Sequence, residues 1–200
     1  MKKLLLSAAV VAVSTAATPA FAQENLPFTG PWVGATAGYD KFTTGDEDDD
    51  GSEDGIAYGI ALGYDVNLGG VLIGAEAELT DNGVSATAFD VLEDDDELTL
   101  SAGRDIFAGV RVGVPLNDVA MLFAKGGYTN QRFSATYSLD DESETLSENL
   151  DGFRLGGGVE FDLGQPFARI EYRYSDYGSF SEADLETKRH QVMLTAGVRF

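Results

Sequence analysis

The fold is decided by residues 151–161, which read DGFRLGGGVEF. From Phe153 to Phe161 every second residue is apolar or glycine, and the residues between them are charged or glycine. Successive side chains point to opposite faces of a β-strand, so this period of two predicts a strand with one apolar face and one charged face.

The same alternation recurs in seven more segments of the chain. These segments cover residues 33–39, 58–66, 71–79, 106–114, 120–128, 168–174 and 192–200. No charged side chain falls on the apolar face of any segment. The sequence therefore predicts eight similar strands, each with two unlike faces.

The charged faces carry acids and bases in nearly equal number, although the chain as a whole has 34 acidic and 13 basic residues and a net charge of −21. The six acids and seven bases are Asp65, Glu76, Glu78, Asp105, Glu160 and Glu171, with Arg111, Lys125, Arg154, Arg169, Arg173, Arg189 and Arg199. Charges removed from water have to be paired, so this local balance predicts a closed polar interior with ion pairs, such as Glu171 with Arg154 or Arg189. The apolar faces then point outward to lipid rather than inward as in a soluble barrel.

Aromatic residues lie near both ends of the apolar faces, which is typical of the two interfacial girdles of a membrane barrel. The first set is Tyr39, Tyr58, Tyr128, Phe153 and Tyr174, and the second is Tyr64, Phe161 and Phe200. Each strand supplies about 9–11 residues, which is enough for a tilted crossing of the hydrocarbon layer.

The connections between the strands alternate between long and short. Long connections cover about residues 40–55, 81–104, 129–151 and 175–189, and short ones cover residues 67–70, 115–118 and 162–166. Strict alternation is typical of extracellular loops and periplasmic turns. The pattern predicts an all-β, eight-stranded, antiparallel transmembrane up-and-down β-barrel with both termini on the periplasmic side.

The N-terminus has the order of a secretory signal peptide. Lys2 and Lys3 precede an apolar run, and the small-residue site Ala20-Phe21-Ala22 follows it. The run is short for a membrane-spanning helix, which needs roughly 20 apolar residues. We therefore expect a signal peptide over residues 1–22, a short periplasmic segment over residues 23–31 and the barrel domain over residues 32–200.

The composition excludes several classes of function. The chain has no cysteine, which excludes disulfides and thiolate metal sites, and it has one histidine, His190, which excludes a multi-histidine metal site. The strongly negative charge disfavours nucleic acid as a partner. We expect no cofactor.

The acidic stretch TGDEDDDGSEDG over residues 44–55 partly resembles a calcium-binding loop. Asp46, Asp48 and Asp50 have the spacing of its first ligands, and Asp54 adds a further carboxylate, but Ala57 stands where the final bidentate glutamate should be. The stretch therefore predicts a solvated acidic loop that associates loosely with Ca²⁺ or Mg²⁺ at most, rather than a built metal site.

His190 raises the question of a serine–histidine enzyme at the rim of the barrel. Nucleophilic catalysis needs a hydroxyl within hydrogen-bond reach of the base and a third group that orients the base. The residues two positions away on the same strand face are Lys188 and Val192, and neither is a nucleophile. We interpret His190 as an interfacial residue and predict no catalytic residues.

Three segments together resemble the OmpA-like, opacity-protein-like family of outer-membrane β-barrels. They are GIALGYDVNLGGVLIGAEAEL over residues 59–79, DGFRLGGGVEF and FARIEYRYSDYG over residues 151–161 and 167–178, and RHQVMLTAGVRF over residues 189–200. The resemblance implies a compact eight-stranded barrel in the outer membrane of a Gram-negative bacterium. It also implies that Phe200 is the C-terminal aromatic residue read by the outer-membrane assembly machinery.

Two classes of function follow from this interpretation. The first is a non-enzymatic structural or adhesin-like surface barrel with acidic extracellular loops, and the second is a narrow porin-like channel for small solutes or ions. A lipid-modifying barrel enzyme is a distant third. The expected partners are outer-membrane lipid, lipopolysaccharide and the assembly machinery, and the expected state is a monomer.

Overall fold

The computed structural model describes residues 27–44, 51–83, 85–89, 97–139, 142–177 and 187–200. Its strands are β1 (Gly30–Thr44), β2 (Gly51–Asn67), β3 (Leu72–Asn82), β4 (Ser85–Phe89), β5 (Glu97–Pro115), β6 (Ala120–Leu139), β7 (Glu142–Asp162), β8 (Pro166–Tyr177) and β9 (Thr187–Arg199). Within these ranges no helix is long and apolar enough to cross a membrane.

The strands form one closed antiparallel ring. β1 pairs with both β2 and β9, and β3 pairs with both β2 and β5. The short strand β4 also pairs with β5, beyond the end of β3. β3 and β4 therefore occupy one strand position of the ring, with a break between them. The ring is an eight-stranded up-and-down barrel, and the predicted fold class is confirmed.

Side chains alternate between the lumen and the outside of the ring. Along β3 the residues are buried and exposed in turn from Leu72 to Asn82. Leu155, Leu194 and Val110 are among the large apolar side chains on the outside and are 55%, 62% and 62% exposed. This apolar outer wall and polar inner wall are the reverse of a soluble barrel.

One end of the barrel, which we call the turn end, carries three tight turns. Each turn contains a residue whose side-chain oxygen accepts backbone N–H groups. Asn67 Oδ1 accepts from Gly69 and Gly70, Asn117 Oδ1 accepts from Val119 and Ala120, and Asp162 Oδ1 accepts from Gly164. Asn and Asp favour turns because they make such local bonds.

Phe28 closes the lumen at the turn end. Its side chain is fully buried against Leu72, Met121 and Phe123, and its N–H donates to Asp162 Oδ2 at 3.1 Å. Its backbone has a φ of 65°, an uncommon conformation for a residue other than glycine. Residue 28, which we expected in a short periplasmic segment, thus packs inside the barrel, and β1 begins at Gly30.

At the opposite end, which we call the hairpin end, part of the predicted long connections is strand instead. β6 continues to Leu139 and β7 begins at Glu142, so most of the expected connection at residues 129–151 is paired strand. Hydroxyl pairs support this hairpin, with Ser134 and Ser147 at 2.9 Å and Thr136 and Thr145 at 3.1 Å. Paired backbone satisfies its polar groups without loop structure, and such cross-strand pairs stabilise it.

A β-bulge interrupts β5 where it leaves the barrel wall. Ala102 lies opposite Phe133 and Asp105 lies opposite Gln131, so two residues of β5 oppose one residue of β6. The extra residue shifts the alternation by one position. As a result, both Ala102 and Asp105 face the lumen, although three positions separate them.

Candidate functional site

Among the residues that the structure describes, fourteen charged side chains are buried in the lumen. The seven acids and seven bases are Asp40, Asp65, Glu76, Glu78, Asp105, Glu160 and Glu171, with Arg111, Lys125, Arg154, Arg169, Arg173, Arg189 and Arg199. Thirteen of them are the residues that the alternation placed on the charged faces. Asp40 is the additional acid, and it makes the two signs equal in number.

The lower group of charges lies at the turn end. Arg199 bridges Asp65 at 3.0 Å and Glu160 at 2.5 Å. Arg111 contacts the same two acids at 2.9 Å each. Arg169 joins Glu160 at 2.8 Å to Glu76 at 3.0 Å. Three acids thus meet three arginines, and the group is neutral as a whole.

The middle group is built around Lys125. Its Nζ lies 2.6 Å from Glu76, 2.7 Å from Glu78 and 2.8 Å from Glu171. Arg173 adds contacts of 2.7 Å to Glu78 and 2.8 Å to Glu171. The three glutamates are close enough together to hold a metal ion, and the ammonium group of Lys125 lies between them. The lysine therefore supplies the positive charge that three converging carboxylates require.

The upper group lies toward the hairpin end. Arg189 bridges Asp40 at 2.5 Å and Asp105 at 2.6 Å, and Arg154 also binds Asp105. Arg154 reaches Glu78 of the middle group at 3.6 Å. The middle group, counted as Glu78, Glu171, Lys125 and Arg173, and the upper group are each neutral. The ion pairs therefore run through the lumen without an uncompensated charge.

The particular pairs expected for Glu171 are wrong. Its partners are Lys125 and Arg173, whereas Arg154 and Arg189 bind Asp105. Glu171 and Arg189 come from neighbouring strands, but their heights along the barrel differ. Alternation in the sequence predicts which face of the strand a residue occupies. It does not predict the height of that residue along the barrel or its angular position in the closed ring.

Aromatic rings fill the space around the guanidinium groups. The Cζ atom of Arg169 lies 4.5 Å from the centroid of Trp32 and 4.9 Å from that of Phe123, and Arg189 lies 4.8 Å from that of Phe42. Cations favour the faces of such rings. The alternation did not single out these buried aromatic residues, because it was used to locate charges on the inner faces.

Aromatic residues line the outer wall at both ends. Tyr39, Tyr58 and Tyr128 at the hairpin end are 52%, 56% and 51% exposed, and Phe200 at the turn end is 75% exposed. Just beyond Tyr128, outside the apolar band, Asp151 accepts hydrogen bonds from the Tyr128 hydroxyl at 2.5 Å and from Asn130 at 2.6 Å. These donors hold the pKa of the Asp151 carboxyl below its ordinary value.

Of the four aspartates of the predicted calcium-binding stretch, the structure describes Asp54 alone. Asp46, Asp48 and Asp50 lie outside the described residues. Asp54 is exposed on β2, opposite Lys41 of β1 and beside the Tyr39 hydroxyl. The prediction of loose Ca²⁺ or Mg²⁺ association therefore stays a prediction.

His190 lies on the outer face of β9 at the hairpin end. Its Nδ1 is 2.6 Å from the Tyr172 hydroxyl, and its ring centroid is 5.2 Å from that of Tyr174. Tyr174 belongs to the aromatic girdle, and Tyr172 lies two residues farther into the apolar wall on the same strand. The histidine is thus held by ring contacts and a phenol hydroxyl.

Comparison with known proteins identifies the fold family. The model of the outer membrane protein β-barrel domain matches residues 8–200. The chain is similar to the crystal structure of Ail, the attachment invasion locus protein of Yersinia pestis, with 15% identity, 86% of this chain and 99% of that chain covered, and a TM-score of 0.50. It is also similar to Neisserial surface protein A, with 16% identity, coverage of 86% and 98%, and a TM-score of 0.53. No curated protein sequence matches the chain.

The two structural similarities show a shared fold at low identity, and they agree with the closed ring and its apolar outer wall. The family match spans nearly the whole chain, as the resemblance of its strand segments implied. The chain belongs to the outer membrane protein β-barrel domain family.

Proposed function

We propose that this protein is a non-enzymatic outer-membrane barrel that acts at the cell surface through the sheet extending from its hairpin end. This projecting sheet consists of residues 85–89, 97–102, 132–139 and 142–150, from β4, β5, β6 and β7. It is the observation that carries the proposal, because it extends the wall past the aromatic girdle into water. In this orientation the hairpin end faces outward and the termini face the periplasm, after cleavage behind residue 22.

The projecting sheet has two strand edges to which the described residues add no further strand. β7 pairs with β8 only from Gly152 onward, so residues 142–150 of β7 pair with β6 alone, and β4 pairs with β5 alone. Such an edge can accept an extended segment from another chain. An adhesin-like contact by strand addition is therefore the mode that this geometry favours.

The charge of the projecting sheet favours a cationic partner. Glu97, Glu144 and Glu148 are exposed on it, and Leu146 between the last two is 77% exposed. Like charges would oppose the pairing of two copies of this edge. We propose an extended, basic protein segment as the partner and a monomeric barrel in the membrane.

The channel alternative is less well supported. An eight-stranded barrel has an interior that side chains can fill, and here the ion pairs and Phe28 occupy it. The lipid-modifying alternative would need His190 as a base beside a serine nucleophile. Its described contacts are with Tyr172 and Tyr174 instead. We keep Phe200 as the proposed signal for the assembly machinery, and we propose no cofactor.

Removing the outer part of the hairpin tests the proposed function. Ser134 and Ser147 lie directly opposite each other, so residues 134–147 can be replaced by a two-residue Asn-Gly turn that joins Phe133 to Glu148. The probe is a fluorescent peptide of alternating Lys and Val, and the control peptide carries Pro at every third position. We expect the refolded full chain to bind the first peptide and the shortened variant to lose this binding.

Two outcomes would contradict the proposal. Equal binding of the peptide to the full chain and to the shortened variant would exclude the β7 edge of the projecting sheet as the binding site. Equal binding of the proline peptide would show attraction by charge without strand addition, because proline cannot donate a ladder hydrogen bond. A Glu144→Gln/Glu148→Gln variant with the hairpin intact should weaken binding and leave folding unchanged.

A further inference from the structure

The lysine and arginine residues outside the lumen have a restricted distribution. Of the 13 in the chain, Lys2 and Lys3 lie outside the described residues and seven are buried in the lumen. The other four are Lys41, Arg104, Arg132 and Lys188. All four lie on the outward face of the hairpin end, just beyond the tyrosine girdle. In the part of the chain that the structure describes, no other lysine or arginine lies on the outer surface.

The first pair of cations lies on β1 and β9. Lys41 is directly opposite His190, and Lys188 lies two residues farther along β9, opposite Thr43. Directly opposite residues share a face, so Lys41, His190 and Lys188 project together from neighbouring strands about 4.8 Å apart. Tyr39 of the girdle precedes Lys41 by two residues on the same face and is half exposed.

His190 is held in place beside this pair. Its hydrogen bond with the Tyr172 hydroxyl is 2.6 Å, and the Tyr174 ring packs against it. Two acids partly neutralise the positive charge, because Asp54 lies opposite Lys41 and Asp176 lies opposite Lys188. This site thus contains both cations and acids. It can bind an anion directly, or together with the cations that accompany that anion.

The second pair of cations lies at the β5 bulge. Gly103 and Arg104 are the two residues that oppose Arg132 alone, and both arginines are exposed. From inside the barrel, Gln131 Nε2 donates to the carbonyl of Gly103 at 2.7 Å, and Asn82 Nδ2 donates to it at 3.3 Å. Arg104 has the same outward parity as Ile106 and Ala108 of the barrel wall. The bulge shifts the alternation beyond it, so that Ala102 faces the lumen.

We propose that these two pairs bind the phosphate groups of phosphorylated glycolipid headgroups in the outer leaflet. Guanidinium and ammonium groups bind phosphate by charge-assisted hydrogen bonds, and tyrosines beside them mark the level of the headgroups. The outer part of the projecting sheet, with Glu97, Glu144 and Glu148, lies above the cations on the water side and would repel a soluble polyanion. A lipid phosphate reaches them sideways from the membrane and avoids this repulsion.

Binding of lipid A with and without its phosphates to the full chain tests the site. The folded protein in detergent micelles is titrated with bisphosphorylated lipid A or with its dephosphorylated form, and native mass spectrometry measures the bound fraction. The acyl chains are the same in both lipids, so the difference in affinity reports the phosphates. We expect tighter binding of the phosphorylated form by wild type.

Variants assign this preference to the named cations. Lys41→Gln/Lys188→Gln and Arg104→Gln/Arg132→Gln should each weaken binding of phosphorylated lipid A, by about fivefold for each cation removed, and leave binding of the dephosphorylated form unchanged. Lys41→Arg/Lys188→Arg keeps the charge and should retain the affinity. All of these side chains are at the surface, and heat-modifiable mobility on gels checks that every variant is folded.

Several results would overturn the site. Equal affinity of wild type for the two forms of lipid A would do so, and so would unchanged affinity in both glutamine variants. Displacement of lipid A by inorganic phosphate at similar concentration would show a general anion site in water. Displacement by heparin would assign the cations to a soluble polyanion instead of a lipid. None of these outcomes depends on whether the projecting sheet binds a peptide.

Discussion

Arg189 donates two parallel hydrogen bonds to Asp40, from Nε to Oδ1 at 2.8 Å and from Nη2 to Oδ2 at 2.5 Å. The two residues belong to β9 and β1, the last and first strands of the ring, so this pair ties the closing seam from inside. A bidentate arginine–carboxylate pair combines charge with fixed geometry. Asp40 also completes the equality of acids and bases in the lumen.

We predict that Asp40→Asn strongly destabilises the barrel. The change leaves Arg189 with one carboxylate partner, Asp105, which Arg154 shares. Removing one partner of a buried ion pair costs about 3–5 kcal/mol. Urea unfolding of protein inserted in lipid vesicles measures the loss.

The control for this prediction is Asp118→Asn, which makes the same chemical change at an exposed turn residue. An exposed substitution of this kind should change the free energy of unfolding by no more than about 0.5 kcal/mol. If the Asp40 and Asp118 variants unfold at the same urea concentration, the seam pair does not stabilise the barrel.

Asp40 also shows where sequence reasoning succeeded and where it stopped. The alternation along residues 33–39 continues through Asp40 and Phe42, both of which face the lumen. The alternation therefore reaches Asp40 and Phe42, although the sequence analysis predicts a long connection from residue 40 onward. A strand that continues beyond the membrane carries the same period as the part within it, so the sequence alone did not mark where the connection begins.

The pairing of the interior charges could not be predicted from the sequence. Alternation places a side chain inside or outside, and this is why thirteen interior charges were found. Which acid meets which base depends on the stagger of the strands around the closed ring. The β5 bulge adds a local shift that alternation cannot foresee, and Ala102 owes its inward position to it.

We predict that the purified wild-type protein conducts little current in planar lipid bilayers. The lumen is filled by neutral groups of ion pairs, such as the three glutamates around Lys125, and is closed at the turn end by Phe28. The variant with the shortened hairpin should be equally silent, because the hairpin lies outside the lumen. Steady, large conductance from both proteins would favour the channel function.

We predict that Gly158→Ala impairs folding far more than Gly157→Ala. A Cβ atom on Gly158 would collide with the carbonyl oxygen of Ile170 and would lie 2.9 Å from the Cα of Glu171, and backbone atoms of a paired strand cannot move aside. A Cβ on Gly157 would lie 3.2 Å from the carbonyl oxygen of Phe123, which a small shift accommodates.

Folding yield from urea into detergent, followed by gel mobility, compares the two glycine variants. Overpacking that forces backbone shifts typically costs about 1–3 kcal/mol. We expect a reduced folded fraction for Gly158→Ala and a nearly normal one for Gly157→Ala. The reverse order would contradict the placement of Gly158 on the crowded inner face.

We predict that Leu155→Arg impairs membrane insertion, whereas Leu146→Arg does not. Both leucines belong to β7 and are exposed, at 55% and 77%. Leu155 lies on the apolar outer wall, two residues inside the girdle residue Phe153. An arginine there is unfavourable, with a cost below the about 2–4 kcal/mol of the bilayer midplane. Leu146 lies in the projecting hairpin, where its arginine would remain in water. Insertion into phospholipid vesicles, scored by protection from protease, separates the two variants. Equal insertion of both would mean that the wall around Leu155 does not face lipid.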